Sequence, residues 1–157
     1  MNNKIISLKK AKEIRKSLKK RRKKLVFSNG CFDILHVGHV CYLQAARRLG
    51  DTLLVGLNRD DSVRRLKGPK RPINSEKARA KVLAALECVD YVVYFSDDTP
   101  QRLIATLLPD VLVKGSDWKK GAIVGEDIVA AHGGKVRRIK LEKGFSTTNT
   151  IRKIKKA

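Results

Sequence analysis

Short apolar runs alternating with helical patterns constrain the fold of this chain more than any other feature. Leu25-Val26-Phe27, Thr52 to Leu57, Tyr91 to Phe95, Val111-Leu112-Val113 and Val136 to Ile139 each have the length and content of a strand. Between them lie segments with apolar residues at helical spacing. These are Val37 to Leu49, Ser75 to Val89 with Val82, Leu83, Leu86 and Val89 inward, and Ile123 to His132. A further helix begins near Pro100, with Leu103, Ile104, Leu107 and Leu108 as its buried stripe. Strands that alternate with helices over short connections form a parallel sheet covered on both faces. The expected fold is α/β, a Rossmann-like doubly wound parallel sheet of about five strands in a single domain, its fifth and polar strand at an edge. Ligands of such sheets bind beyond the carboxyl ends of the strands.

The segment that follows the first strand, Ser28-Asn29-Gly30-Cys31-Phe32-Asp33-Ile34-Leu35-His36-Val37-Gly38-His39, carries the strongest chemical signal. Asn29-Gly30 reads as the turn leaving the strand. His36 and His39 stand three apart where the next helix begins, so both rings lie on one face beside its unpaired N–H groups. Gly38 between them leaves the backbone open to a ligand. The helix dipole and free N–H groups favour anions, and imidazoles donate to phosphate oxygens, so a nucleoside triphosphate fits this place. Two other readings stay open. Either histidine is compatible with a satisfied core or surface position. Cys31, Asp33, His36, His39 and Cys41 also fall within a short span that raises a metal site. Structural zinc sites draw ligands as two separated pairs, and the sequence holds no second pair, so no metal ligand is assigned.

A chain of 157 residues with 42% hydrophobic content fits one domain with a real core. It has no apolar run of membrane-span length and no apolar N-terminal stretch of signal type, so cytoplasmic residence is expected. Cys31, Cys41 and Cys88 form no CxxC pair and suit reduced thiols. The net charge of +21 invites a nucleic-acid partner, but residues 1–24 hold 12 Lys or Arg against one Glu, about half of the excess. There Leu8, Ala11, Ile14 and Leu18 recur at helical spacing after Ser7, an N-cap residue type. The expected division is a basic helix over 1–24, packed on the domain and ending in a solvated turn from Lys19 to Lys24, and a domain over 25–157. Contact with nucleic acid or a membrane surface through this helix is an alternative of another class. Aromatic residues of the kind that stack on bases are missing there.

Three more segments fall at carboxyl ends of strands. Asn58-Arg59-Asp60-Asp61 leads to an expected loop from Arg64 to Pro72, in which Arg64, Arg65, Lys67, Lys70 and Arg71 surround Gly68 and Pro69. Such a loop is either solvated or closes over a polyphosphate. Lys114-Gly115-Ser116-Asp117-Trp118 holds the chain's one tryptophan, either a core plug or a nucleobase contact. Gly144-Phe145-Ser146-Thr147-Thr148-Asn149-Thr150 leads into Ile151-Arg152-Lys153-Ile154. Its hydroxyls serve as N-caps or hold a terminal phosphate.

Taken together, Gly30-Cys31-Phe32-Asp33 with His36-Val37-Gly38-His39, and Ser146-Thr147-Thr148 about a hundred residues later, resemble the two signatures of the HxGH nucleotidyltransferase superfamily. Arg65-Leu66-Lys67-Gly68 with Arg71-Pro72, Asp98-Thr99-Pro100-Gln101-Arg102-Leu103-Ile104 and Leu112-Val113-Lys114-Gly115 narrow the resemblance to heptose 1-phosphate adenylyltransferases, from about Leu8 to Ile154. The resemblance implies a nucleotidyltransferase domain over 25–157 that transfers AMP from ATP to a heptose 1-phosphate and releases pyrophosphate. It implies His36, His39 and Lys67 as catalytic groups. Asn29, Gly30, Cys31, Phe32 and Gly38 would surround the ATP phosphates and ribose, and Arg79 would reach a phosphate or the sugar. Gly115, Asp117 and Trp118 would border the nucleoside, Ser146, Thr147 and Thr148 the β- and γ-phosphates. Asp33, Asn58 and Lys114 would meet the sugar substrate. Mg²⁺ would arrive with ATP, the enzyme would act as a homodimer, and a separate heptose kinase would supply the acceptor. Related glycerol-phosphate cytidylyltransferases place an arginine shortly before the hydroxyl signature, where this chain has Leu141 and Lys143. A cytidylyltransferase acting on another sugar or polyol phosphate is therefore the alternative enzyme.

Overall fold

Leu25, Val26 and Phe27 are fully buried because the strand they open runs through the middle of a sheet. The computed structural model describes residues 4–119 and 121–156. Its strands are β1 (Leu25–Gly30), β2 (Thr52–Asn58), β3 (Tyr91–Phe95), β4 (Val111–Gly115) and β5 (Lys135–Ile139). They pair in the order β3-β2-β1-β4-β5, every neighbour parallel, which is the expected architecture. Every residue of β2 and β4 is buried, as the unbroken apolar runs of central parallel strands require, whereas polar β5 lies at an edge. The opposite edge, β3, is extended by Ile5, which bridges Val92 in parallel.

Helices α2 (Val37–Arg47) and α4 (Glu76–Ala85) pack on one face through Leu43, Ala46, Ala80 and Leu83. On the other lie α1 (Leu8–Lys20), α5 (Gln101–Leu107) and α6 (Glu126–Ala131), contributing Ala11, Leu18, Ile104, Leu107 and Val129. The basic α1 is capped by Ser7, whose Oγ accepts from Lys10 N. Arg15 fastens it to the sheet through both oxygens of Asp110, at 2.7 and 3.1 Å. Asp110, Asp51 and Asp90 also accept backbone amides where β1 and β2 begin, so the acidic groups at that end of the sheet are structural. The chain winds outward from β1 to β3 and then returns across the sheet to β4. That reversal opens a crevice at the carboxyl ends of β1 and β4.

Several boundaries differ from the sequence expectations. The stretch expected as a loop from Arg64 is helical to Lys67 in α3 (Asp60–Lys67), and Gly68, at φ 94°, ends the helix. Its acids sit in the first turn and its bases in the last, each complementing the helix dipole, while Val63 is its one buried apolar anchor. Too few apolar residues remain there for periodicity to show. Helix α4 ends at Ala85 rather than Val89 because Leu86 turns extended. Its inner face is consequently Arg79, Ala80 and Leu83, and Val82 points outward at 48% exposure. Asn29 and Gly30 belong to β1 itself, and α7 (Thr147–Lys156) starts four residues before Ile151. Among the described residues no helix is long and apolar enough to cross a membrane.

Candidate active site

The crevice at the switch point is a cavity of about 710 Å³. Beneath it, β1 delivers Asn29 and Gly30, and β4 delivers Lys114 and Gly115. Beside each other, α2 and α7 present their N-termini, so two sets of orphan N–H groups and two positive dipole ends border one space.

His36 is the N-cap of α2 but makes no side-chain cap bond. Its ring stacks on that of His39 with centroids 3.9 Å apart, and Nδ1 of each is buried with no hydrogen-bond partner among the described residues. Unpaired buried nitrogens are uncommon in finished cores, and they mark this pair as a candidate site. Burial, followed by the neighbouring His36, pulls His39 down to about 4, and burial lowers His36 as well. Both rings are therefore neutral at neutral pH. A Cβ at Gly38 would lie 3.1 Å from His36 Nδ1 and 3.3 Å from the Phe145 Cβ, so a larger residue would displace the imidazole. Phe32 packs 5.2 Å from the His39 ring, and a Cβ at Gly30 would press to 3.0 Å on the Phe32 ring.

On the β4 side, Lys114 is buried and donates from Nζ to Asn29 Oδ1 at 2.5 Å, with the ammonium 5.6 Å from the Trp118 ring centroid. Burial brings its pKa down to about 8 despite the pull of Asp117. A Cβ at Gly115 would collide with the Asp117 carboxylate and touch Leu141, so these groups form a close wall beside Trp118. Across the cavity, Ser146 caps α7 by accepting from Asn149 N at 3.0 Å, and Thr147 Oγ1 donates to Ile34 O at 3.4 Å. Thr148 also lines the space, as do Asn58, Cys31 and the exposed Lys67 at the end of α3. Burial pushes the Cys31 thiol up, away from thiolate.

Two residues expected to meet substrate stand differently. Asp33 borders the cavity, but its carboxylate is consumed by Arg71 Nε at 2.5 Å and by the amides of Ile73 and Asn74 at 2.8 to 2.9 Å. Burial alone would raise this carboxyl, but the amides and the Arg71 guanidinium outweigh it and hold it below the ordinary carboxylate range. Asp33 thus fastens the loop of Arg71 to the cavity rather than offering oxygens to a sugar. Arg79 lies outside the cavity lining and is fully buried, so it does not reach a phosphate there. The structure adds Tyr42, whose hydroxyl joins Ser28 Oγ at 2.8 Å and donates to Val113 O at 3.0 Å under the cavity. It also adds Leu141 and Phe145 as apolar walls. Tyr42 follows His39 on the same helical face, which is its one signal in the sequence. Among the described residues, no group of three His, Cys, Asp or Glu could hold a metal ion.

The sequence matches the cytidylyltransferase-like family over residues 27–153. It is 60% identical over 136 residues to the bifunctional protein HldE of Syntrophotalea carbinolica, covering 87% of this chain and 28% of that protein. To HldE of Haemophilus ducreyi it is 55% identical over 150 residues, covering 96% of this chain and 32% of that protein. The chain therefore spans less than a third of the length of these relatives. Among solved structures it is similar to the lipopolysaccharide core biosynthesis protein from Thermoplasma volcanium, with a TM-score of 0.63 and 30% identity. That match covers 78% of this chain and 99% of the other. Pantoate-beta-alanine ligase from Francisella tularensis shares the fold at a TM-score of 0.59 and 15% identity, over 98% of this chain and 79% of that one.

Proposed function

This chain belongs to the cytidylyltransferase-like family, and from that premise we propose that it transfers AMP from ATP to D-glycero-β-D-manno-heptose 1-phosphate, giving ADP-heptose and pyrophosphate. The observation that carries this is the gathering, in one cavity, of the stacked His36 and His39 rings and the Ser146 to Thr148 hydroxyls, each set at a helix N-terminus. Similarity to the HldE proteins and to a lipopolysaccharide core biosynthesis protein supports a sugar phosphate of that core as acceptor. The motif resemblance narrows it to the heptose.

In the proposed step, an oxygen of the acceptor phosphate attacks the α-phosphorus of ATP in line. The bond from that phosphorus to the oxygen bridging toward the β-phosphorus breaks, and pyrophosphate departs with the electron pair. The nucleophile is already an anion, so no base is needed, and catalysis is alignment plus charge stabilisation. Neutral His36 and His39 donate N–H to α-phosphoryl oxygens without bringing two cations together. Lys67 approaches from the end of α3 to neutralise the charge that moves onto the leaving group. Ser146, Thr147, Thr148 and the α7 amides hold the β- and γ-phosphates, while Asn29, Gly30 and Gly38 let the chain approach them closely. Gly115, Asp117 and Trp118 border the nucleoside, and Lys114 and Asn58 face the acceptor. Mg²⁺ bound to the triphosphate would supply charge neutralisation there. The proposal extends to a homodimer in the cytoplasm and to a kinase reaction that supplies the heptose 1-phosphate.

The test is pyrophosphate release from ATP, CTP, GTP and UTP, each with Mg²⁺ and with the α- or β-anomer of the heptose 1-phosphate or with glycerol 3-phosphate. Release with ATP and the β-anomer is expected. Release with CTP and a polyol phosphate instead would make the chain a cytidylyltransferase.

A further inference from the structure

One buried charged group takes no part in the reaction above. Arg79 is the largest of the fully buried side chains among the described residues, and it lies on the inner face of α4, where an apolar residue would pack. A guanidinium persists in such a place only when its donors are taken up. Here three separate segments take them. Nη1 donates to Cys31 O at 2.5 Å, Nε to Asn74 O at 3.0 Å and Nη2 to Asp60 Oδ1 at 2.7 Å.

Each acceptor belongs to a segment that bears the cavity. Cys31 immediately precedes Phe32, whose backbone is left-handed at φ 44° and whose ring stands against His39. That conformation is sparsely populated for a side chain of this size and holds only where neighbours over-determine it. Asp60 is the first residue of α3, and Lys67 is its last. Glu76, at the start of α4, adds to the same seam by accepting from Asp60 N at 2.9 Å and Arg59 Nη1 at 2.7 Å. Asn74 closes the ring, since its amide binds Asp33 Oδ1 and its side chain donates to Asp33 O.

We infer that Arg79 is a positioning residue that holds the segment of His36 and His39 and the helix of Lys67 at one fixed separation, so that it governs turnover without touching the nucleotide. The kinetic half of this rests on the proposed nucleotidyl transfer, and the structural half does not. A lysine at 79 would offer one point charge where a planar fork now spans three acceptors.

Two measurements on Arg79→Lys test it. In the free protein, amide hydrogen exchange is expected to rise about tenfold or more in both 31–39 and 60–67, with β4 and β5 unchanged. With substrates, kcat is expected to fall ~10–100-fold while the KM for ATP stays within about threefold, as misplacement without loss of binding requires. Asp60→Ala, which keeps the bonds to Cys31 and Asn74, is expected to loosen 60–67 alone and to lower kcat less; it carries the test if Arg79→Lys does not fold. Exchange that rises only around residue 79 would overturn the inference, as would an unchanged kcat or a loss confined to KM. Should the wild type transfer no nucleotide at all, the proposed function fails and the exchange pattern still decides the role of Arg79.

Discussion

Burial fixes the working ionisation of individual site residues. His39, held near a pKa of about 4, is a neutral donor at neutral pH and, like His36, contributes no positive charge there. Its folded value lies below the ordinary 6.5, so the unfolded chain takes up the proton first. The stability contributed by the neutral ring is full above about pH 6.5 and is lost as pH falls toward 4. His39→Ala is expected to keep the fold, to flatten that acid loss in thermal melts, and to lower turnover by about 10²–10³-fold, the magnitude for one lost charge-stabilising donor. Near wild-type turnover would remove His39 from the mechanism. Lys114 is shifted in the same direction by the same cause, burial. With a pKa brought down to about 8, it surrenders its charge as pH rises through that value. Affinity for ATP or the sugar phosphate is expected to weaken above about pH 8 in the wild type, and Lys114→Met is expected to lose this alkaline dependence in calorimetric titrations.

Elements are legible where packing speaks through apolar spacing. Five of the helices and all five strands show themselves this way, because a parallel sheet buries long runs such as Thr52 to Leu57 on both faces. The His36 and His39 pair and the Ser146 to Thr148 run are legible because residue type and helix start coincide. What escapes are features decided by long-range polar contacts. Helix α3 is held by charge and one valine, and Arg79 is inward because Cys31, Asn74 and Asp60 await it from 48, 5 and 19 residues away. Asp33 reads as a substrate contact in the sequence because nothing local reveals that Arg71 and two amides occupy it. The basic helix α1 has most of the expected apolar face: Ala11 and Leu18 are buried and Ile14 half-buried, whereas Leu8 is exposed, and only Lys10 and Arg15 of its described bases form ion pairs. None of its residues lines the cavity. Lys9, Lys12, Lys16 and Lys20 changed together to Gln are expected to leave kcat within about twofold while weakening any adventitious binding to random-sequence RNA. A proportional loss of turnover would instead tie the charge of α1 to catalysis.

At the scale of the molecule, topology gathers the site from chain segments more than a hundred residues apart. The reversal between β1 and β4 places Asn29 beside Lys114, and α7 returns Ser146 to the helix start at His36. The opposite end of the sheet uses Asp51, Asp90 and Asp110 to satisfy strand amides, leaving the chemistry to one edge. Such a cavity, with two helix N-termini and neutral donors, suits the proposed binding of a polyphosphate and stabilisation of charge moving away from an α-phosphorus. The most direct check is to run the reaction with ATP and heptose 1-phosphate carrying ¹⁸O in its phosphate, and to weigh both products by mass spectrometry. All of the label in ADP-heptose and none in pyrophosphate is expected, since the acceptor oxygen becomes the new bridge. Labelled sugar triphosphate with release of AMP would mean attack at the β-phosphorus and would contradict the assignment of the site.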